Sequence, residues 1–322
     1  MRDLRFAWRL LLRNPLPSFV IIGSLALGIG GAASVFTVLN ALVLRMLPVA
    51  RADQLAFAEK HTPNGVSARF SWPQVLDVRA EIGPRAETAA MSELSGMQVR
   101  TTDAAAGERA MVQLVSGDYF ALLGEHAQLG RLITETDNRE AAPAVAVISD
   151  GYWQRRLDRA RTAIGQTLLV NGAAVTIVGV TAPGFQGTSP GFRGTDVWIP
   201  LVLQPRVHYA SNSSSHGSAD ETKPWPPQRQ IEWLRLLLRV PDGANQRGVA
   251  SAVEVVLARE VRDERQASDE RRAAPSITLV SAARGISNAR NQLSAPLYVL
   301  LGMTGLLLAI AAANVASLLL AR

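Results

Sequence analysis

Two long apolar runs lie near the ends of the chain, and short mixed patterns of hydrophobic and polar positions fill the space between them. Residues 18–44 are uncharged between Arg13 and Arg45, and residues 291–321 are uncharged before Arg322, with the apolar core of the second run starting near Leu297. Each exceeds the roughly 20 apolar residues that cross a bilayer as a helix, so two membrane spans are expected; two buried core helices are the alternative. A cleavable signal would have an apolar centre of about 7–15 residues and a small-residue cleavage site, which the first run does not match. Before it, Arg2, Arg5, Arg9 and Arg13 fall on one helical face with Leu4, Trp8 and Leu11 opposite, which predicts a short interfacial helix over residues 1–16.

Between the runs the pattern predicts a mixed α and β fold. Residues 54–60 read as a strand, and Ser71 as the N-cap of a helix carrying Trp72, Pro73, Val75, Leu76 and Val78. Strands follow at 97–101 and 110–116. The same order returns later as a strand at 233–240, a turn at 241–243, a helix at 244–262 and a strand at 276–281. Between the two units, residues 144–148 form a strand, and Tyr152, Trp153 and Leu157 an amphipathic helical turn. Residues 167–180 alternate around Asn171-Gly172, a hairpin signal because both turn positions need φ > 0. A short strand is expected at 196–201. Residues 209–227, crowded with Ser, Asn, Gly and Pro, read as a mobile loop.

Composition narrows the function classes. The 322 residues are 48% hydrophobic and 19% charged with no cysteine, which excludes a disordered chain and a disulfide scaffold and leaves stability to core burial. The net charge of +6 suggests nucleic acid until it is placed along the sequence. Residues 1–16 carry a net +3, Arg45 and Arg322 flank the apolar runs, and residues 46–290 hold 27 basic against 26 acidic groups. Basic charge beside an apolar span orients a membrane protein, so the N-terminus and Arg322 are expected in the cytoplasm and residues 46–290 outside the inner membrane, with no nucleic-acid partner.

Several motifs match in letters only. Gly187-Thr188-Ser189-Pro190-Gly191 fits GxSxG, but the residue after the serine must offer an amide to an oxyanion and Pro190 has none, so no enzyme is expected. Residues 28–33 fit GxGxxA inside an apolar run, where helix packing is the better reading. His61, His126, His208 and His216 are scattered, and neither Lys60 nor Lys223 follows a phosphate-binding loop, so no metal or nucleotide site is expected here. Asn212-Ser213-Ser214 is only a formal glycosylation sequon. Within the apolar runs, Ala26, Gly30 and Ser34, and then Gly305, Ala309, Ala313 and Ser317, form small-residue ridges that suit close helix packing. Asn314 is a polar group in the second run, expected to hydrogen-bond another helix, with a substrate or gate role as the sharper alternative.

The blocks "RDLRFAWRLLLRNP", "SLALGIGGAASVFTVLNALVLR", "VSGDYFALLGEHAQLGRLIT", "AVAVISDGYWQRRL", "IGQTLLVNGAAVTIVGVTAPGFQGT", "DVWIPL" and "LLGMTGLLLAIAAANVASLLLAR" resemble, in order, permeases of the MacB/FtsX type, in the branch of duplicated orphan permeases without a fused ATPase. The resemblance implies transmembrane helices at 17–45 and 291–322 around an α+β periplasmic domain. Porter-like strand-helix-strand units would occupy 46–116 and 229–290, with an inserted mixed α/β subdomain at 117–228. It implies an inner-membrane export permease of the mechanotransmission kind, working in the lipid bilayer with a separate ABC ATPase subunit that binds ATP, and with a second permease unit or as a dimer. No cofactor is implied in this chain. The alternative is a membrane-tethered binding or regulatory domain acting without transport, as in some FtsX relatives. Relatives continue past the position of Arg322 into a cytoplasmic coupling segment and two further helices, so the chain resembles the front half of one four-helix unit, as a fragment or a truncated gene product.

Overall fold

The computed structural model describes residues 15–40, 46–63, 65–102, 106–190, 194–214, 219–267, 274–286 and 288–320. They fall into two compact units, Met46–Ile286 and the two ends of the chain. The interfacial helix expected over residues 1–16 lies outside the described residues except for Pro15 and Leu16. Helix α1 (Pro15–Leu39) is uncharged and opens on Pro15, whose missing amide suits a first turn.

The larger unit begins with β1 (Leu55–Thr62), the short β2 (Gly65–Ser67) and α2 (Trp72–Ile82). Ser71 caps α2 as its pattern predicts: its hydroxyl accepts the Gln74 amide at 3.3 Å, and the Gln74 side chain accepts the Ser71 amide at 3.1 Å. After β3 (Glu87–Ser92) come β4 (Ser95–Thr101), β5 (Glu108–Val115), α3 (Tyr119–Leu123), β6 (Ala127–Gly130), β7 (Val145–Ile148) and α4 (Asp150–Leu157). Strands β8 (Thr167–Val170) and β9 (Ala173–Thr181) form the expected hairpin, with Asn171 at φ 47° and Gly172 at φ 88°. The segment continues through β10 (Val197–Pro200), β11 (Ser213–Ser214) and β12 (Ile231–Glu232) to β13 (Leu234–Arg239), α5 (Gln246–Ala267) and β14 (Ser276–Ser281).

Strand pairing divides this unit into two lobes. In the first, the antiparallel order β3-β13-β1-β14 interleaves two strand-helix-strand units, with α2 and α5 packed against each other. Period-two alternation gives the sheet two apolar faces. Ala58, Ala90, Leu234, Leu236 and Leu238 join the core containing Val75 and Val78 of α2 and Val253 and Val256 of α5, while Phe57, Met91 and Leu237 join a second core with Phe120 of α3. Toward one end of the helix-covered face, Lys60 meets Glu232 at 2.6 Å and lies 4.6 Å from the Phe70 ring centre, so its buried ammonium has a carboxylate and an aromatic face.

The second lobe is a closed barrel. Strand β5 pairs β4, β4 pairs β8, β8 pairs β9, β9 pairs β7, β7 pairs β10, and β10 returns to β5 in parallel register from Val197–Val112 to Pro200–Val115. Closure leaves this sheet without a free long edge among the described residues. By pairing, the insertion starts at β4 rather than at residue 117, because β4 and β5 bond to barrel partners and only Met91–Val115 links β5 to β3. A 3₁₀ turn seats the barrel: Asn138 accepts the Leu201 amide at 2.8 Å and donates to the Val115 carbonyl at 3.2 Å.

The segment 209–227, expected to be mobile, is anchored at both ends. Tyr209 and Trp225 are buried against Trp233, with ring centres 5.7–6.1 Å apart, and the Tyr209 hydroxyl donates to the Glu93 carbonyl at 3.3 Å. Its polar composition hid two aromatics, Tyr209 and Trp225, whose burial against Trp233 outweighs the turn-rich residues between them. Trp225→Ala should therefore lower stability by about 3–5 kcal/mol, read as a fall in the thermal midpoint, and should open residues 209–227 to protease. Unchanged protease resistance would refute the anchoring role.

In the smaller unit, α6 (Asn288–Leu320) packs on α1. Its inner positions Leu297, Leu301, Thr304, Leu308 and Ala311 repeat every four and three residues, the seam of a left-handed helix pair. Opposite them lie Gly28, Ala32 and Val35; a Cβ on Gly28 would stand 3.0 Å from Leu308 Cδ1 and 3.6 Å from its Cα. The stretch Ala295–Ala313 is, among the described residues, the one helical segment long and apolar enough to cross a membrane; α1 contributes a shorter apolar stretch, Ala26–Leu39.

Candidate functional site

The sequence of β13, Leu-Arg-Leu-Leu-Leu-Arg, places Arg235, Leu237 and Arg239 on the face away from α2 and α5. Arg239 is 3% exposed, and its guanidinium fans out over three backbone carbonyls. Nε donates to Leu122 O at 2.9 Å, Nη1 to Arg51 O at 3.0 Å and Nη2 to Ala50 O at 2.8 Å. Burial, and then the nearby Arg51, pull its pKa below the ordinary arginine value, yet a guanidinium keeps its charge in a protein. Glu87 approaches to 3.7 Å but is 64% exposed, so the carbonyls supply most of the compensation. Arg239 thereby joins the lead-in to β1, the last turn of α3 and the end of β13.

A second set of contacts ties the two termini of this unit. Leu47 donates to Ala283 O at 2.8 Å, Ala282 to Leu55 O at 2.8 Å, and Ile286 to Thr188 O at 2.7 Å. Gly285 makes the last contact possible. It sits at φ 66°, and a Cβ there would stand 2.4 Å from Thr188 O, 2.7 Å from Pro190 Cδ and 2.9 Å from Leu47 Cδ2. Thr188 is held from the opposite side, its amide donating to the Tyr119 hydroxyl at 3.0 Å and its Oγ1 lying 2.9 Å from Met91 Sδ. Burial pushes the Tyr119 phenol up to about 12, so it stays neutral and serves as donor and acceptor. Behind it, Phe120, Phe185 and Trp198 stack at 5.5–6.0 Å between ring centres, joining α3, the loop after β9 and the outer wall of the barrel.

This base is a mechanical arrangement of buried polar contacts. Of the stretch that fits GxSxG in letters, residues 187–190 form a strap and Gly191 lies outside the described residues: Thr188 bridges Tyr119 and Ile286, and Ser189 lies half-buried in a loop that begins after the end of β9 at Thr181. Sequence reasoning missed Arg239 and Gly285. A strand of leucines interrupted by arginines four residues apart on one face carried the first signal; nothing marked the second.

The predicted ridge residues lie elsewhere. Ala26, Gly30 and Ser34 on α1, and Gly305, Ala309, Ala313 and Ser317 on α6, are exposed and off the α1–α6 seam, and a Cβ on Gly30 or Gly305 would meet nothing within 4 Å. Ser34 and Ser317 return their hydroxyls to the carbonyls of Gly30 and Ala313 at 2.8 and 2.9 Å. The Asn314 side chain lies outside the described residues.

Two interleaved strand-helix-strand units carrying an inserted barrel define a mixed α/β domain. Residues 18–256 match the family described as the MacB-like periplasmic core domain, and the chain belongs to that family. Among solved structures it is similar to the periplasmic region of MacB from Actinobacillus actinomycetemcomitans, at 10% identity over 72% of this chain and 90% of that one with a TM-score of 0.48. It is also similar to a domain of a permease protein from Porphyromonas gingivalis, at 15% identity over 76% and 98% of the two chains, TM-score 0.48. A third is the extracellular domain of the noncanonic ABC-type transporter YknZ from Gram-positive bacteria, at 11% identity over 70% and 99%, TM-score 0.45. No curated protein matches the chain.

Two substitutions test the base. Gly285→Ala should cost about 1–3 kcal/mol, because the residue must stay left-handed while its new methyl group meets a carbonyl. Arg239→Lys keeps the charge but presents one ammonium to three spread carbonyls, and should cost about 2–3 kcal/mol. Both are read as lowered urea midpoints of the full chain, and midpoints equal to the parent's would remove the base as a stabilising site.

Proposed function

We propose that the chain is part of the permease of an ABC-type exporter of the mechanotransmission kind. A separate ABC ATPase subunit binds and hydrolyses ATP in the cytoplasm, two helices of this chain cross the inner membrane, and the domain outside it moves with them. The chain itself carries out no covalent chemistry. The observation that supports this reading most is the tied base. A displacement arriving through residue 46 or residue 286 reaches one hydrogen-bonded body, because Leu47 bonds Ala283 and Ile286 bonds the Thr188 strap. Packed interiors transmit such a displacement rather than absorb it.

Family membership supports a transporter permease, and the charge placement supports a cytoplasmic N-terminus. Reporter fusions at Gly117 and Arg322 should give opposite topology signals, and a complex purified through this chain should contain a subunit with ATPase activity. The same compartment for both fusions would overturn the reading.

A dimer or a second permease unit would supply partners for the ridges that face away from the seam. In lipid no hydrophobic drive joins helices, so association relies on close packing over small residues. Ala309→Leu with Ala313→Leu should reduce crosslinking between single cysteines in neighbouring chains several-fold, about 1 kcal/mol of packing, without affecting the pair α1–α6. Gly28→Leu should do the reverse, since it strikes Leu308. Equal crosslinking in all three chains would show that the ridge does no packing.

A further inference from the structure

Strand β14 carries the one long strand edge that the described residues leave open. It pairs β1 without interruption from Ser276–His61 to Ser281–Ala56, and no described strand lies on its other side. The bond from Ala282 N to Leu55 O fixes which backbone groups point where. In an antiparallel ladder alternate residues face the partner, so Thr278 and Val280 bond to β1 while Ile277, Leu279 and Ser281 turn their amides and carbonyls outward. The barrel hides its own edges by closing, but β14 has none of the usual guards: within Ser276–Ser281 there is no charge, no proline and no bulge. Part of it is covered by α5, where the Glu254 carboxylate accepts the Ile277 amide at 2.8 Å. The amides of Leu279 and Ser281 remain.

We propose that this edge is a docking site for an extended segment of a partner polypeptide, uncharged along its middle and cationic at the end that meets Glu254. Two considerations select that occupant. Outward amides and carbonyls that recur at every second residue are matched by another extended backbone, and by no compact ligand. Glu254 has no basic partner among the described residues, so its charge beside an otherwise neutral edge favours a lysine or arginine there.

The test uses the full chain in nanodiscs and synthetic peptides with the six-residue sequence of β14 followed by one lysine, either free or acetylated on its side chain. Binding should slow hydrogen exchange at the Leu279 and Ser281 amides about tenfold while leaving Thr278 and Val280, already bonded to β1, unchanged. Glu254→Gln keeps the acceptor for Ile277 and should weaken only the free-lysine peptide, about two- to fivefold. Ser281→Pro removes an outward amide without touching the β1 ladder and should abolish binding, with protection at Thr278 and Val280 reporting that the strand is still formed. No slowing at saturating peptide would overturn the proposal, and so would binding that survives Ser281→Pro with the strand intact. The proposal does not depend on the transport reading, whose topology fusions succeed or fail separately.

Discussion

A guanidinium cannot shed its charge inside a protein, so wherever one is buried the surrounding backbone must converge on it. At Arg239 three carbonyls from two distant segments do so, and their convergence sets the end of β13 against the lead-in to β1 and the last turn of α3. Leu122 O belongs to a buried helix end with orphan acceptors, whereas Ala50 and Arg51 are exposed and Arg51 O also accepts the Gln54 amide at 3.1 Å. The buried cation therefore draws a helix end and an exposed lead-in to one point, and the base takes the shape that permits it.

The same sheet has to serve two cores, and that requirement joins the lobes. Leucines at even positions of β13 face α2 and α5, while Leu237 faces Phe120, Met91 and the outer wall of the barrel at Trp198. Backbone pairing between the lobes is slight, a single Met91–Val115 bridge, yet side-chain hydroxyls extend it: Ser92 Oγ accepts the Leu114 amide and Ser116 Oγ accepts the Ala90 amide, both at 2.9 Å. The aromatic stack of Phe120, Phe185 and Trp198 fills the space that the short bridge leaves. In the proposed reading, a barrel attached in this way would follow the base if it tilts, because a close-packed shared core does not shear freely.

What the sequence made legible was local. Ser71 announces α2 because a capping box is written in four consecutive residues, Asn171-Gly172 announces a hairpin because few other pairs tolerate two left-handed positions, and β14 is marked by its alternating pattern and bounding turns. Closure of the barrel was not readable, since the parallel pairing of β10 with β5 joins residues 85 apart in a register that neither strand encodes alone. Boundaries followed the same rule. Strands β4 and β5 looked like the continuation of the first unit because they come next in the chain, and only their partners show that they belong to the insertion. The base was hidden for a related reason: the value of Arg239 lies in carbonyls, which every residue possesses and no sequence pattern displays.

The helices present the opposite physical problem. In the domain, buried polar groups are the costly element and the fold is arranged to satisfy them; in a pair of apolar helices the backbone is already satisfied, and shape decides what meets what. Leu308 fits over Gly28 because no Cβ stands in the way, and that contact draws the heptad positions of α6 onto α1. The small ridges then fall on other faces, where they leave smooth surfaces rather than interlocked ones. In the proposed reading this division has a mechanical sense. An interlocked seam keeps the two helices of one chain together as a unit, a smooth ridge lets that unit shift against its neighbours, and the hydrogen-bonded base passes the shift to the domain without loss of register.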